Sequence, residues 1–352
     1  MKASFLVWTA VAIFALAPAL MAQAPAPPQD SVTFDADGTA HVTRVVPLPA
    51  SVSPEAREWI ASLAQRKWPK QTLAEQRAGT DAWRARASAE AKKIYPVNIE
   101  ETRTAGVRTD IITPLETPEA NRGRVLINFH GGGFISDSGS LIEGVPISNL
   151  TKTKVVSVYY RLAPEDPFPA AVDDGVAVYK ELLKTYKAKN IGIFGTSAGA
   201  ILTCEVAVKL KQLGLPLPGA LGVFSGLGDY SRLTDSREIY ALDGFSGDIG
   251  PRDPNVPWED QYAAKTDRKD PVLSPLFADW HGMPPTLLVT STRDLLLSDT
   301  AILHRAMLQA GSDAQLVVFE ALPHAFWYHF GLPETKEALG LMAKFFDEKV
   351  GR

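Results

Sequence analysis

From about residue 124 onward the chain alternates short apolar runs with amphipathic stretches. The apolar runs are 124–129, 154–159, 190–194, 220–225, 286–291 and 315–319. Between and after them, apolar positions recur at helical spacing near 170–186, 198–213, 298–310 and 334–348. Strand–helix alternation of this kind predicts parallel strands joined by right-handed crossovers. Ahead of them, Val97–Thr104 and Val107–Thr113 alternate around Ala105-Gly106, which predicts a hairpin adding an antiparallel element at one edge. The expected fold class is therefore α/β, with a mostly parallel, doubly wound sheet of about eight strands flanked by helices.

Two further regions stand apart from this alternation. Ser53-Pro54 has the form of an N-cap followed by proline at the first helical position. Trp59, Ile60, Leu63 and Ala64 then follow at helical spacing, and a second helical stretch is expected from about Gln71 to Lys93. A long interruption separates 220–225 from 286–291 and carries Pro251, Pro254, Pro257, Pro271 and Pro275. A structureless loop of that length is improbable. It is expected to be an inserted cap over the C-terminal ends of the strands.

The beginning of the chain has a different character. Lys2 precedes an apolar stretch from Phe5 to Met21, and Ala22-Gln23-Ala24 offers small residues at the positions a signal peptidase reads. The run is short for a membrane span of ~20 residues and Pro18 interrupts it. A cleaved signal peptide over 1–24 is expected, and with it export to the periplasm or the extracellular space. A Pro-rich tether follows over 25–30. The expected organisation is then an N-terminal cap part (31–92), an α/β core (93–229), a cap insertion (230–275) and the rest of the core (276–352).

Composition narrows the function classes. Of 352 residues, 45% are hydrophobic and 22% charged, which is ordinary for a globular chain and ample for a large core. The net charge of −4, without a long basic run, argues against an electrostatic nucleic-acid binder. A single cysteine, Cys204, excludes an intrachain disulfide and a cysteine zinc cluster.

The candidate chemistry lies at the strand ends. Gly195-Thr196-Ser197-Ala198-Gly199 follows the run 190–194 and opens a helix at once. A serine on so tight a strand-to-helix turn has its hydroxyl pushed into the open, and the flanking glycines avoid collision with neighbouring backbone. The helix N-terminus behind it favours developing negative charge. His130-Gly131-Gly132-Gly133-Phe134 follows the run 124–129 in the same way. Its main-chain N–H groups can approach a substrate carbonyl oxygen, and losing one such donor costs on the order of 3 kcal/mol in acyl transfer. No Gly-Lys-Ser/Thr accompanies the glycines, so a phosphate loop fits poorly.

A nucleophilic serine needs a histidine as base and a carboxylate to orient it. Of the six histidines, His324 lies just past the run 315–319, where a base is expected, with His329 as the fallback. His304 falls within a helix, and His41 and His281 lie away from strand ends. His130 is expected to shape its own loop. Asp294 follows the run 286–291 directly; its competitor Asp299, in Ser298-Asp299, has the form of a helix cap and first-turn acid. The order Ser197, Asp294, His324 along the chain matches one of the known orders of such triads.

With these residues in place the sequence resembles the hormone-sensitive-lipase-like (bacterial family IV) esterases of the α/β-hydrolase superfamily, over roughly residues 95–350. The resemblance rests on His130–Phe134, Tyr160-Arg161-Leu162-Ala163-Pro164-Glu165, Phe168-Pro169-Ala170-Ala171 with Asp173-Asp174, Gly195–Gly199, Arg293-Asp294 and Pro323-His324-Ala325-Phe326. It implies Ser197 as nucleophile, His324 as base and Asp294 as its partner. It also implies the main-chain N–H groups of Gly132, Gly133 and Ala198 as the oxyanion hole, with Gly131 less favoured. Arg161 and Glu165 would buttress the site as an ion pair. Two departures stand out. Asp294 is followed by Leu295-Leu296 where many relatives have Pro-Leu, and Thr196 precedes the serine where many have Asp.

The implied activity is hydrolysis of short to medium acyl esters through an acyl-enzyme, with no metal or organic cofactor. The expected partner is a small-molecule ester, with no nucleic acid, no membrane span after processing and a possible homodimer. An amidase, a lactonase or an acyltransferase could use the same triad. A non-catalytic small-molecule receptor could be built on the same scaffold, although the relatives that became receptors lost the histidine that is present here.

Overall fold

A computed structural model describes residues 30–63, 65–66, 71–240, 245 and 258–351. The expected signal peptide and nearly all of the tether lie outside the described residues. The chain divides at Pro47/Leu48 into two compact units. The first contains an antiparallel hairpin of β1 (Ser31–Phe34) and β2 (Ala40–Thr43), all eight residues of which are exposed. The segment expected as one N-terminal cap part, 31–92, is therefore shared between the two units.

The second unit opens with two helices. In α1 (Pro54–Leu63) the Ser53 hydroxyl accepts the Ala56 N–H at 3.1 Å, the expected N-cap. In α2 (Leu73–Ile94) Thr72 and Glu75 cap each other's backbone reciprocally. There follow β3 (Val97–Thr104), β4 (Val107–Pro114), β5 (Val125–Phe129), α3 (Ser140–Thr151), β6 (Lys154–Tyr159), α4 (Ala170–Leu182), β7 (Ile191–Thr196), α5 (Ala198–Gln212) and β8 (Ala220–Phe224). The insertion carries α6 (Asp235–Tyr240) and α7 (Trp258–Ala263), and the chain ends with β9 (Thr286–Ser291), α8 (Leu297–Gln309), β10 (Ala314–Phe319) and α9 (Pro333–Lys349).

The eight strands β3 to β10 form one sheet in the order β10-β9-β8-β7-β5-β6-β4-β3. β4 runs antiparallel to both β3 and β6, and every other neighbouring pair is parallel. The expected strand boundaries hold within one or two residues. The central strands β5, β7 and β8 are buried along their whole length, as strands covered on both faces must be.

Each face carries its own apolar core. One gathers Ile193, Val206, Leu210 and Leu303 from the α4, α5 and α8 side, and the other Leu126, Val145, Phe194 and Phe346 from the α3 and α9 side. Cys204 on α5 is fully buried in the first. No described helix is long and apolar enough to cross a membrane.

Two elements were not expected from the sequence. The hairpin β1–β2 has no buried face to impose an apolar alternation. Helix α3 is buried along nearly its whole length and carries Pro146 in its interior, so neither an amphipathic pattern nor a clean propensity marks it. It presses on the sheet at Gly144, where a Cβ would come within 2.5 Å of Ile112 Cδ1.

Candidate active site

The ends of β5 and β7 fix the serine turn sterically. Ser197 adopts φ 58°, ψ −121°, a conformation that costs a non-glycine residue energy and persists because the surroundings enforce it. Its N–H donates to Phe224 O at 2.9 Å. Both flanking glycines lie against β5: a Cβ on Gly195 would be 2.2 Å from Phe129 O, and one on Gly199 would be 1.8 Å from the same oxygen. The serine turn thus depends on backbone packed so closely that no side chain fits between.

The glycine loop sits beside it. A Cβ on Gly131 would lie 3.0 Å from Thr196 O and 3.4 Å from Ser197 Cβ, so the two motifs are in contact. Gly132 has φ +111°, and a Cβ there would be 2.0 Å from Ser136 O; Gly133 and Phe134 are also left-handed. The loop folds on itself through Ile135 N and Ser136 N, which donate to Gly132 O. The N–H groups of Gly132, Gly133 and Ala198 have no protein acceptor among the described residues, and so are free to serve a ligand oxygen. His130 is buried. It stacks on Tyr160 at 4.1 Å, its Nδ1 lies 2.7 Å from Gly131 O, and its own carbonyl accepts the Tyr160 hydroxyl, a loop-shaping role as expected.

Asp294 and His324 meet at the ends of β9 and β10. His324 Nδ1 lies 2.8 Å from Asp294 Oδ1, and both side chains are almost fully buried. The other oxygen of Asp294 accepts the Ser225 hydroxyl and, at 3.0 Å, the Thr290 hydroxyl, while Leu296 N donates to Oδ1 at 2.8 Å. Burial pushes the Asp294 carboxyl up, but His324 and these hydrogen bonds outweigh it and hold the group below the usual aspartate value. The His324 loop is joined to the serine turn through Trp327, whose Nε1 donates to Thr196 Oγ1 at 3.0 Å.

The competing residues fall elsewhere. Asp299 is buried on α8 and accepts the Thr234 hydroxyl at 2.7 Å; burial pushes its carboxyl up to about 6. His329 packs on Trp59 with ring centroids 4.0 Å apart, and burial lowers its pKa to about 4. His304 lies 3.3 Å from Ala314 O on α8, while His41 and His281 are exposed beside Asp35 and Asp279. Among the described residues no cluster of three or more His, Cys, Asp and Glu side chains is gathered for a metal ion.

One expected pairing is corrected. Arg161 and Glu165 do not pair with each other. Arg161 makes a forked contact with Asp174, with Nη2 at 2.9 Å from Oδ1 and Nε at 3.0 Å from Oδ2. Glu165 takes both terminal nitrogens of Arg77, at 2.8 and 2.7 Å. Arg77 comes from α2 and also donates to Ile135 O and Ala163 O at 2.7 and 2.9 Å, tying the glycine loop to the segment after β6. Only three residues, Leu162, Ala163 and Pro164, separate Arg161 from Glu165, but the intervening turn points them to different partners. Sequence reading missed Arg77, Ser225, Glu143 and Tyr328. Only the fold brings them to the site.

Comparison with known proteins places the fold in a family. A family model described as alpha/beta hydrolase fold matches residues 126–328. An acetyl-hydrolase of Streptomyces hygroscopicus is 31% identical over 246 residues, covering 66% of this chain and 79% of the relative. An esterase of Acinetobacter venetianus is 30% identical, covering 72% and 84%. Among solved structures, the esterase E25 superposes with a TM-score of 0.76 at 32% identity, covering 88% of this chain and 98% of that one. A hormone-sensitive lipase from a metagenome library gives 0.74 at 29% identity, covering 84% and 98%. With more than half its length matched by the family model, and with the sheet order, serine turn and glycine loop already described, the chain belongs to the α/β-hydrolase-fold family, on its hormone-sensitive-lipase-like branch.

Proposed function

We propose that the protein is a serine carboxylesterase acting on esters of short to medium acyl chains. Ser197 Oγ attacks the ester carbonyl carbon and passes its proton to His324, and the oxyanion is received by the N–H groups of Gly132, Gly133 and Ala198. Collapse expels the alcohol, which takes the proton from His324 and leaves Ser197 acylated. Water, deprotonated by His324, then attacks the acyl group and frees Ser197 and the acid. Asp294 keeps its Nδ1 partner oriented throughout.

The observation that carries this reading is the 2.8 Å contact between His324 and Asp294, made on a loop that is itself bonded to Thr196, the residue before the serine. The names of the relatives, acetyl-hydrolase and esterase, support the same substrate class. Residues 48–92 and 230–275 serve in this reading as the cap that shapes the acyl and alcohol pockets. The chain is exported after cleavage near residue 24, which N-terminal sequencing of the mature protein tests. Light scattering tests for a homodimer.

The deciding experiment is a panel of p-nitrophenyl esters from acetate to decanoate, with matched amides and lactones, on wild type and Ser197→Ala. Turnover of the short esters that vanishes in the folded variant is expected. Turnover that survives the substitution overturns the mechanism, and a preference for amides or lactones overturns the substrate class.

A further inference from the structure

Beneath the serine turn lies a buried polar cluster that the triad does not use. Glu143, near the start of α3, is 3% exposed. Its Oε1 accepts the Tyr328 hydroxyl and its Oε2 accepts Asn128 Nδ2 at 2.9 Å. Asn128 is held in turn by the Ser157 hydroxyl at 2.8 Å. Thr196 accepts the Trp327 N–H at 3.0 Å, so the same turn is also tied to the strand end beside Ser197. Both groups that hydrogen-bond the Glu143 carboxyl are donors, and a carboxylate that has lost its proton is the acceptor such a pair requires.

The elements that meet here make the cluster more than a core detail. Thr196 is the last residue of β7 and adjoins Ser197. Trp327 and Tyr328 lie three and four residues beyond His324, on the same buried turn. We infer that Glu143 is a positioning residue: its carboxylate joins the loop that carries His324 to β5, the strand that leads into the glycine loop, through Tyr328 and Asn128. This inference rests on the esterase reading above.

Protonating Glu143 would put a hydrogen where two donors already point, so the tie would loosen on the acid side. Burial pushes the carboxyl up to about 7, with the neighbouring Tyr328, Thr196 and Asn128 groups acting in the opposite sense. The titratable groups facing it are Tyr328 on the histidine loop, Asp137 ahead of α3 and Tyr160 after β6, none of them a cation. Asp137 adds to the upward push. Activity then requires Glu143 in its basic form, and its titration adds to the acid limb of log kcat against pH.

The test uses the full-length protein with active sites counted by a fluorophosphonate, so that misfolded molecules are excluded. Glu143→Gln is expected to lower kcat per titrated site about tenfold, short of the ~10²-fold associated with a misplacement of ~1 Å. KM should stay within about twofold, and the acid limb should become shallower, because the variant cannot titrate at position 143. Unchanged kcat per site and an unchanged limb overturn the inference. If Glu143→Gln yields no titratable sites, Tyr328→Phe decides. It removes one donor to the carboxylate, so the acid limb should move to higher pH, and an unmoved limb overturns the proposal. Ser197→Ala runs alongside. Activity surviving there indicts the esterase reading, and activity lost there but unaltered by the Glu143 and Tyr328 changes indicts only the positioning role.

Discussion

His324 Nδ1 and Asp294 Oδ1 meet at 2.8 Å in a setting that excludes solvent, while three other donors grip the same carboxylate. A carboxylate so held cannot swing to another partner. It fixes which ring nitrogen of His324 carries the proton and which one faces outward.

Asp294→Asn should therefore leave the fold intact and lower kcat by roughly 10³ to 10⁴, the scale of losing the correct tautomer in a serine triad. Asp299→Asn should stay within a few-fold of wild type, because Asp299 serves the Thr234 hydroxyl and an amide oxygen can do the same. Ester turnover by the two purified variants separates these outcomes. A larger loss in Asp299→Asn would reassign the acid.

Glu205 gives a prediction about stability. It lies fully buried on α5, two turns beyond Ser197, and accepts the Tyr262 hydroxyl at 2.6 Å. Burial raises its carboxyl well above the ordinary value, so the folded state holds it neutral. Its contribution is complete below the unfolded value near 4.5 and is lost as pH rises toward the folded one. Glu205→Gln cannot ionise and escapes that loss. The midpoint of urea unfolding for the variant, relative to wild type, should rise as pH is raised above 5. A flat or falling difference contradicts the neutral assignment.

Glycines divide by what surrounds them. Gly199→Ala places a methyl 1.8 Å from Phe129 O and should abolish activity or soluble expression. Gly340, exposed in the middle of α9, has open space around its Cα. Gly340→Ala should raise stability by about 0.5–1 kcal/mol, through the lower entropy of the unfolded chain, without altering turnover. Thermal unfolding with matched kinetics checks both.

Arg77 acts at a distance from the serine. Its ion pair with Glu165 is partly exposed and adds little to global stability. Its bonds to Ile135 O and Ala163 O, however, hold the loop that carries the glycines. Arg77→Ala should lower kcat about tenfold while shifting the unfolding midpoint only slightly, since small displacements of a positioning loop cost rate steeply. Unaltered kcat would relieve the loop of that dependence.

The central sheet, the serine turn, the glycine loop and the strand-end positions of Asp294 and His324 were all legible in the sequence, because each is announced locally. An apolar run followed at once by glycines or by a polar residue marks a strand end. Helix α3 was illegible because burial on every side erases the 3.6-residue pattern, and Pro146 argues against a helix. The partner of Glu165 could not be read from its neighbours, since Arg77 lies 88 residues earlier. The role of Ser225 is likewise invisible along the chain. It stands 69 residues before the carboxylate it serves, and only the β8–β9 pairing brings the two together.

The buried position of Cys204 has a practical consequence. As the sole thiol of the chain, sealed within α5 and raised in pKa by burial, it resists alkylation in the native molecule. Labelling by a thiol reagent therefore clocks the opening of the core directly behind the serine turn. A cysteine introduced at the surface of the cap would take up a fluorophore at that site alone, giving a single-label view of its movement without first removing a native residue.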